Sequence, residues 1–231
     1  MLRGVSWHER FRTDEPEILD LEGLSERGLR ILHGLDRFNR RIGWTRFHVR
    51  AVKRWWAALG HPEPFRIVDV GCGDGGFLVT LADTAAAEQL PWELHGVDRS
   101  RDYAAHAQAR LGDRAQIHVA DATALPDEAS WDLATSCLVM HHLPPEVRHG
   151  MVAELARTCR AAYLFDLQIT AHGLFGTGIT PWVLGMTGDL AHDGHVSIRR
   201  AATRPQFEEL VAPLPGRVRT VLPTAQCTWP S

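Results

Sequence analysis

The stretch "RIVDVGCGDGGFLVTLA", residues 66–82, decides the fold. An apolar β-forming run ends at Val70, Gly71, Gly73, Gly75 and Gly76 follow with two acids around them, and a second apolar run begins at Phe77. Glycine supplies no packing and costs backbone entropy, so such a cluster marks unusual dihedrals or a partner pressed against the main chain. A loop that leaves a strand and enters a helix sits at the carboxyl edge of an open parallel sheet, where ligands bind. A nucleoside-bearing cofactor is the expected occupant. No Gly-Lys-Ser/Thr follows, which argues against a nucleoside-triphosphate loop, whereas Gly71, Gly73 and Gly76 keep the spacing of a dinucleotide fingerprint.

Downstream, strands and helices alternate. "WELHGVD" (92–98), "QIHVAD" (116–121), "WDLATSCLVM" (131–140) and "AAYLFDLQI" (161–169) read as strands. "RDYAAHAQARL" (101–111) and "PPEVRHGMVAELARTC" (144–159) read as helices, the second with prolines tolerated in its first turn. This rhythm predicts a mainly parallel sheet with helices on both faces. Asp98 ends the second strand, where a carboxylate accepts hydrogen bonds from ribose hydroxyls, and Asp121 ends the third, within reach of a base amine. Three successive strand tips carrying aspartate point to one ligand.

Upstream, residues 1–23 form a polar arm. Ile31, Leu35, Phe38 and Ile42 recur at helical spacing, and "WTRFHVRAVKRWWAAL" (44–59) presents a second broad apolar face. "GHPEP" (60–64) stops that helix and marks the boundary between an N-terminal helical region, 1–60, and a main domain, 61–231. Residues 170–200 interrupt the alternation as a glycine- and histidine-rich insertion on the substrate side. "TRPQFEELV" (203–211) predicts a helix capped by Thr203, and "GRVRTVLP" with "AQCTWP" a closing antiparallel hairpin.

Composition narrows the function classes. The net charge of −3 gives no reason to expect a nucleic-acid or anionic-membrane partner. Lys53 is the only lysine, so an individual arginine says little about anion recognition. Four scattered cysteines with no paired spacing read as buried thiols in a reducing compartment. The N-terminus lacks an apolar signal core and no run approaches the roughly 20 residues of a spanning helix, so a soluble, cytoplasmic protein is expected. His141 and His142 are adjacent and His192 and His195 form an H-x₂-H pair, but neither has a spaced third ligand, so no metal is expected.

"VDVGCGDGG", "GVDRS", "VADATALP" and "WDLATSCLVMHHLP" resemble the successive motifs of class I S-adenosylmethionine-dependent methyltransferases, over roughly residues 60–169. "LDRFNRRIGWTRFHVRAV" and "HDGHVSIRRAATRPQFEEL" resemble a bacterial small-molecule branch acting on polyketide, phenol or quinone-type compounds. The resemblance implies a Rossmann-like seven-stranded sheet under an N-terminal helical lid. It implies S-adenosylmethionine as cofactor and S-adenosylhomocysteine as product. Asp69, Gly71, Cys72 and Gly73 would cradle the methionine part, Asp98 and Arg99 the ribose side, Asp121 and Ala122 the adenine, and Cys137 and Leu138 the floor. His142, His141 and His192 are the candidate bases, and Trp44, His192, Asp193, His195 and Arg199 the candidate substrate contacts. The expected reaction is O-methylation of a phenol or enol of a natural product. C- or N-methylation on the same scaffold and a cofactor-binding scaffold without turnover are the alternatives, and a hydride-transfer enzyme is disfavoured by the "DATALP" and "HHLP" contexts. A monomer or homodimer is expected, with a small-molecule partner.

Overall fold

In β1 (Phe65–Val70) Phe65 and Ile67 belong to one core cluster, and Val68 and Val70 to another, all four with no exposed surface. A strand buried on both faces requires cover on both sides, the condition under which parallel sheets occur. The computed structural model describes residues 7–126, 130–170, 188–214, 217–221 and 224–229.

β1 pairs in parallel with β2 (Trp92–Asp98) and β4 (Leu133–Cys137), β2 with β3 (Gln116–Val119), and β4 with β5 (Ala162–Leu167). The five-stranded parallel core expected from the sequence is therefore present. β7 (Thr224–Trp229) then runs antiparallel against both β5 and β6 (Arg217–Val221), giving the order β3-β2-β1-β4-β5-β7-β6. A dinucleotide-binding sheet runs 3-2-1-4-5-6, so the antiparallel strand inserted beside β5 is a departure from it.

Helices α1 (Ile18–Glu22), α2 (Glu26–Arg41) and α3 (Trp44–Ala58) precede the sheet, and Gly43 at φ +82° makes the turn between α2 and α3. α4 (Gly76–Glu88) and α5 (Arg101–Leu111) follow β1 and β2, and α6 (Pro145–Thr158) follows β4. One sheet face packs Met151, Leu155 and Phe207 around Trp131, while the other packs Leu78, Leu81 and Val52 around Tyr163 and Phe165.

The described part of the expected insertion, residues 188–200, is mostly helical. Residues 171–187 lie outside the described chain, but Asp189–Arg200 form an amphipathic helix, α7, and Thr203 caps α8 (Arg204–Leu210) through a reciprocal bond with Gln206. α7 packs on α1, α2 and the turn after β4. Gly34 lets it approach α2, because a Cβ there would meet Leu190 at 3.0 Å. β4 ends earlier than expected, at Cys137, because Leu138 adopts φ +61° and turns the chain. Among the described residues, no helix is long and apolar enough to cross a membrane.

Candidate functional site

The glycine loop leaves β1 at the carboxyl edge, as expected, but its glycines have different causes. A Cβ at Gly71 (φ +75°) would meet Val139 Cγ1 at 2.6 Å, and one at Gly75 (φ +77°) would meet Ala107 and Leu111 of α5 at 3.1 Å. These two are glycines because protein packs against them. Gly73 (φ +53°) is different: a Cβ there would meet nothing within 4 Å. Only at Gly73 does the loop bare its backbone to open space at the strand tips.

The loop amides point inward. Gly71 and Cys72 N–H both donate to Val97 O (2.8 and 3.0 Å), Gly73 N–H to Asp98 Oδ2 (2.9 Å), Gly75 N–H to Cys72 O (2.9 Å) and Gly76 N–H to Asp74 Oδ1 (3.1 Å). A pyrophosphate site depends on such N–H groups facing the ligand. Here they are spent on the fold, and the carboxylates of Asp69 and Asp98 lie beside the loop, while Asp74 is paired with Arg110 of α5. Such a loop suits a cation. The Cys72 side chain is buried beneath it, its Sγ 2.8 Å from where a Cβ on Gly96 would sit, so Cys72 offers a ligand only its backbone.

Asp98 is half-buried, and its second oxygen accepts from Ser100 N–H at 2.9 Å. Each carboxylate oxygen has a further lone pair for a hydroxyl donor. Asp69 is buried, accepts from Thr135 Oγ1 at 2.7 Å, and has its pKa pushed up to about 7 by burial, with the Asp98 charge adding to the rise against the Thr135 bond. Asp121 lies two residues beyond β3 on the surface. It accepts from Thr123 N–H and Oγ1 (2.9 and 2.7 Å), which, with the charge of nearby Arg99, hold its carboxyl below the usual range. Ala122 is half-buried beside it.

The tip of β4 carries the densest polar network. Half-buried Cys137 ends the strand, and Leu138, strained at φ +61°, donates its N–H to Phe165 O at 2.8 Å. A bulky residue in that region costs on the order of 1–2 kcal/mol and is sustained only by its surroundings. His141 is buried, with Nδ1 2.6 Å from Asp166 Oδ1, its backbone N–H on Asp166 Oδ2, and Nε2 3.5 Å from Glu17 Oε1. Burial alone would push this imidazole down; the Asp166 and Glu17 carboxylates on its two nitrogens override that and hold it at about 9. His141 is thus a buried cation at neutral pH. The expectation that it serves as a base is corrected: its lone pair is occupied by a proton.

His142, partly exposed, has Nδ1 3.0 Å from Asp20 Oδ1 and Nε2 3.8 Å from Glu17 Oε1. Ser197 Oγ also donates to Glu17 Oε1, at 2.6 Å, and Arg200 Nη1 to Asp20 Oδ2 at 2.7 Å. Glu17, Asp20, Asp166 and Ser197 were not singled out from the sequence. They come from three segments far apart in the chain, with no local pattern to announce them.

The residues of α7 fasten the N-terminal arm. Both oxygens of buried Asp193 accept the N–H groups of Ile18 and Leu19 (2.8 and 3.0 Å), capping α1 from outside, so Asp193 is withdrawn as a substrate contact. Arg199 Nε donates to Phe11 O at 2.8 Å, which ties α7 to the arm. His192 is exposed with its ring nitrogens 3.4 Å from Asp193 Oδ1 and 3.5 Å from Glu15 Oε1. A carboxylate beside each ring nitrogen can orient the imidazole. His195 is exposed on α7, where burial and the Arg199 charge hold its pKa down.

Trp44 opens α3 with its ring edge-on to Phe165 at 5.2 Å. One turn further, buried His48 lies 4.4 Å from Phe165 between ring centroids and sets Nδ1 2.9 Å from Tyr163 Oη. Burial drives His48 down to about 4, so it is a neutral imidazole inside an aromatic wall. The sequence signal for it was its place on the apolar face of α3. A hollow of about 660 Å³ between Trp92 and Gln116 lies at the opposite, amino edge of the sheet and takes no part in this arrangement.

Comparison with known proteins agrees with this geometry. Residues 67–162 match the family described as "Methyltransferase domain". A probable chloroplastic tocopherol O-methyltransferase of Oryza sativa subsp. japonica is 34% identical over 118 residues, which is 48% of this chain and 32% of that protein. The chain thus spans about a third of that relative's length. The plantazolicin methyltransferase BpumL in complex with S-adenosylhomocysteine superposes with a TM-score of 0.61 at 16% identity, over 83% of this chain and 71% of that one. The magnesium protoporphyrin IX methyltransferase of Synechocystis PCC 6803, with the same bound product, gives 0.54 at 17% identity, over 85% and 93%. The class is therefore the Rossmann-like α/β fold of these methyltransferases.

Proposed function

We propose that this chain is an S-adenosylmethionine-dependent methyltransferase acting on a small molecule, with O-methylation of a phenolic or enolic natural-product intermediate as the favoured reaction. The observation that carries the reading is the loop after β1: amides turned inward, the carboxylates of Asp69 and Asp98 beside it, and one bare glycine at Gly73. That set rejects a phosphate and receives a sulfonium compound with an ammonium group. When bound, the cofactor supplies a methyl group that is already strongly electrophilic.

The chain's own residues bind, orient and dry the site. Asp98, with Arg99 beside it, receives the ribose side, Asp69, Gly71, Cys72 and Gly73 the methionine part, Asp121 and Ala122 the adenine, and Cys137 and Leu138 the floor. Residues 1–60 act as a helical cover on the 61–231 domain, and Trp44, with His192 and His195 nearer the rim, faces the acceptor. Alignment of nucleophile, carbon and sulfur in a water-poor pocket provides the acceleration. His142 and His192, each beside a carboxylate that can orient its ring, are the candidate bases, while His141 is held charged between Asp166 and Glu17. An acceptor acidic enough to enter as its anion, an enol or an acidified phenol, would need the least help from either.

Calorimetry with S-adenosylmethionine and S-adenosylhomocysteine, followed by product analysis on a panel of phenols, enols and quinols, tests the reading. Saturable uptake that Asp98→Ala abolishes, with O-methylated product, is expected. No uptake of either compound overturns it; uptake without turnover across the panel leaves a cofactor-binding scaffold.

A further inference from the structure

Two histidine nitrogens and one carboxylate oxygen converge where the N-terminal arm meets the turn after β4. His141 Nε2 and His142 Nε2 lie 3.5 and 3.8 Å from Glu17 Oε1, and the three donors all fall within 4.8 Å of one another. We propose that Glu17, His141 and His142 form a binding site for a divalent first-row transition ion of the Zn²⁺ type. An ion held there ties the arm to the strand tips.

The spacing fits. Ligands about 2.0–2.1 Å from a tetrahedral ion stand roughly 3.4 Å apart. At 3.8 Å a nitrogen and an oxygen make no hydrogen bond, yet they are too close to admit anything larger than an ion. The imidazoles are also oriented as metal ligands are, each giving its other nitrogen to a carboxylate. Asp166 holds His141 Nδ1 at 2.6 Å, and Asp20, itself held by Arg200, holds His142 Nδ1 at 3.0 Å. Both rings therefore aim Nε2 at Glu17, with centroids 4.1 Å apart. Ser197 Oγ fixes the Glu17 carboxylate at 2.6 Å. An ion would enter in exchange for the proton on His141 Nε2, so the three acids Asp166, Glu17 and Asp20 would face the ion with Arg148 and Arg200 in place of the imidazolium. His142 is partly exposed, which leaves an entry path and open coordination positions. The expectation of no metal rested on the lack of a third ligand near the histidine pair; that ligand, Glu17, lies on the arm, more than a hundred residues before it.

The test uses the full chain, stripped with a chelator. Zn²⁺ is titrated by calorimetry and Co²⁺ by visible absorption. One equivalent of saturable uptake is expected, with a cobalt spectrum of nitrogen and oxygen ligation. Glu17→Gln and His142→Gln should each weaken uptake at least about tenfold, and Asp20→Asn, acting through His142, by about 10- to 100-fold. Thermal melts in chelator show that the variants fold. No saturable uptake, uptake unchanged in both ligand variants, or a cobalt–thiolate band from one of the cysteines overturns the proposal and leaves the cluster as ion pairs alone. Cofactor uptake measured on the same samples keeps this result separate from the methyltransferase reading.

Discussion

Replacing Asp69 with asparagine should make the protein more stable at neutral pH, and the gain should depend on pH in one direction only. Asp69 is buried, and its pKa in the fold is about 7, raised from an ordinary 3.8 chiefly by burial and further by the Asp98 charge. A raised carboxyl is favoured in its protonated form. Below about pH 4 the folded and unfolded chains both carry the proton, and Asp69 imposes no penalty. Above about pH 7 both have lost it, and the whole cost of the buried charge is present. Stability attributable to this group therefore falls as pH rises from 4 to 7. At about 1.4 kcal/mol per pH unit, the span from 3.8 to about 7 is worth up to about 4 kcal/mol. Asparagine removes the titration while its carbonyl still accepts from Thr135. Urea unfolding of both proteins from pH 4 to 8 gives the difference in unfolding free energy, in which other titrating groups cancel. That difference should grow by about 2–4 kcal/mol in favour of the variant between pH 4 and 7, then stay level. A flat difference, or one that shrinks with pH, refutes the placement of a desolvated carboxyl beneath the loop.

Gly71→Ala and Gly73→Ala should separate folding from binding. Gly71→Ala drives a methyl into Val139 at a positive φ and should cost about 2–4 kcal/mol by urea unfolding, partly restored by Val139→Ala. Gly73→Ala meets no protein atom, so its stability loss should stay near the backbone cost of about 1 kcal/mol while calorimetry shows weakened S-adenosylmethionine uptake; equal effects of the two on both readouts contradict this division. Tyr163→Phe strands buried His48 Nδ1 and should destabilise by about 1–3 kcal/mol in a denaturant melt, and a change within about 0.3 kcal/mol tells against that bond. Asp193→Ala uncaps α1, so protease should cleave the chain near residues 15–20 at least several-fold faster, with little change in the global unfolding midpoint.

What was legible in the sequence is what local pattern encodes. The β1 loop, the aspartate at the end of β2 and the capped start of α8 each declare themselves within a few residues, because dihedral demand, strand period and capping are local. α7 was not legible: His192, Gly194 and His195 lower helix propensity, and the helix stands because Val196 and Ile198 are buried and Asp193 is engaged by α1. The left-handed turn at Leu138 carries no residue signature, since leucine is a poor choice for it and its N–H bond to Phe165 exists only once β5 is in place. The pairing of His141 with Asp166 and Glu17 was hidden for the same reason. "HHLP" advertises two histidines but not which charges the fold will bring to them, and that decides between a base and a cation.

The two halves of the site show opposite uses of the same charge. At the β1 and β2 tips Asp69 and Asp98 stand without a basic partner on the loop, and burial, with the Asp98 charge adding to it, raises Asp69. At the β4 and β5 tips Asp166 is answered at once by His141, and its carboxyl is held low despite burial. An unanswered acid in a buried place is costly unless a cation arrives, whereas an answered one is structural. Stability has been given up at the glycine loop and recovered one strand over, where Glu17 and Asp20 draw the arm onto the turn. On that reasoning the cation the fold lacks belongs beside Gly73, and the arm that would seal it in is held by the very histidines first taken for bases.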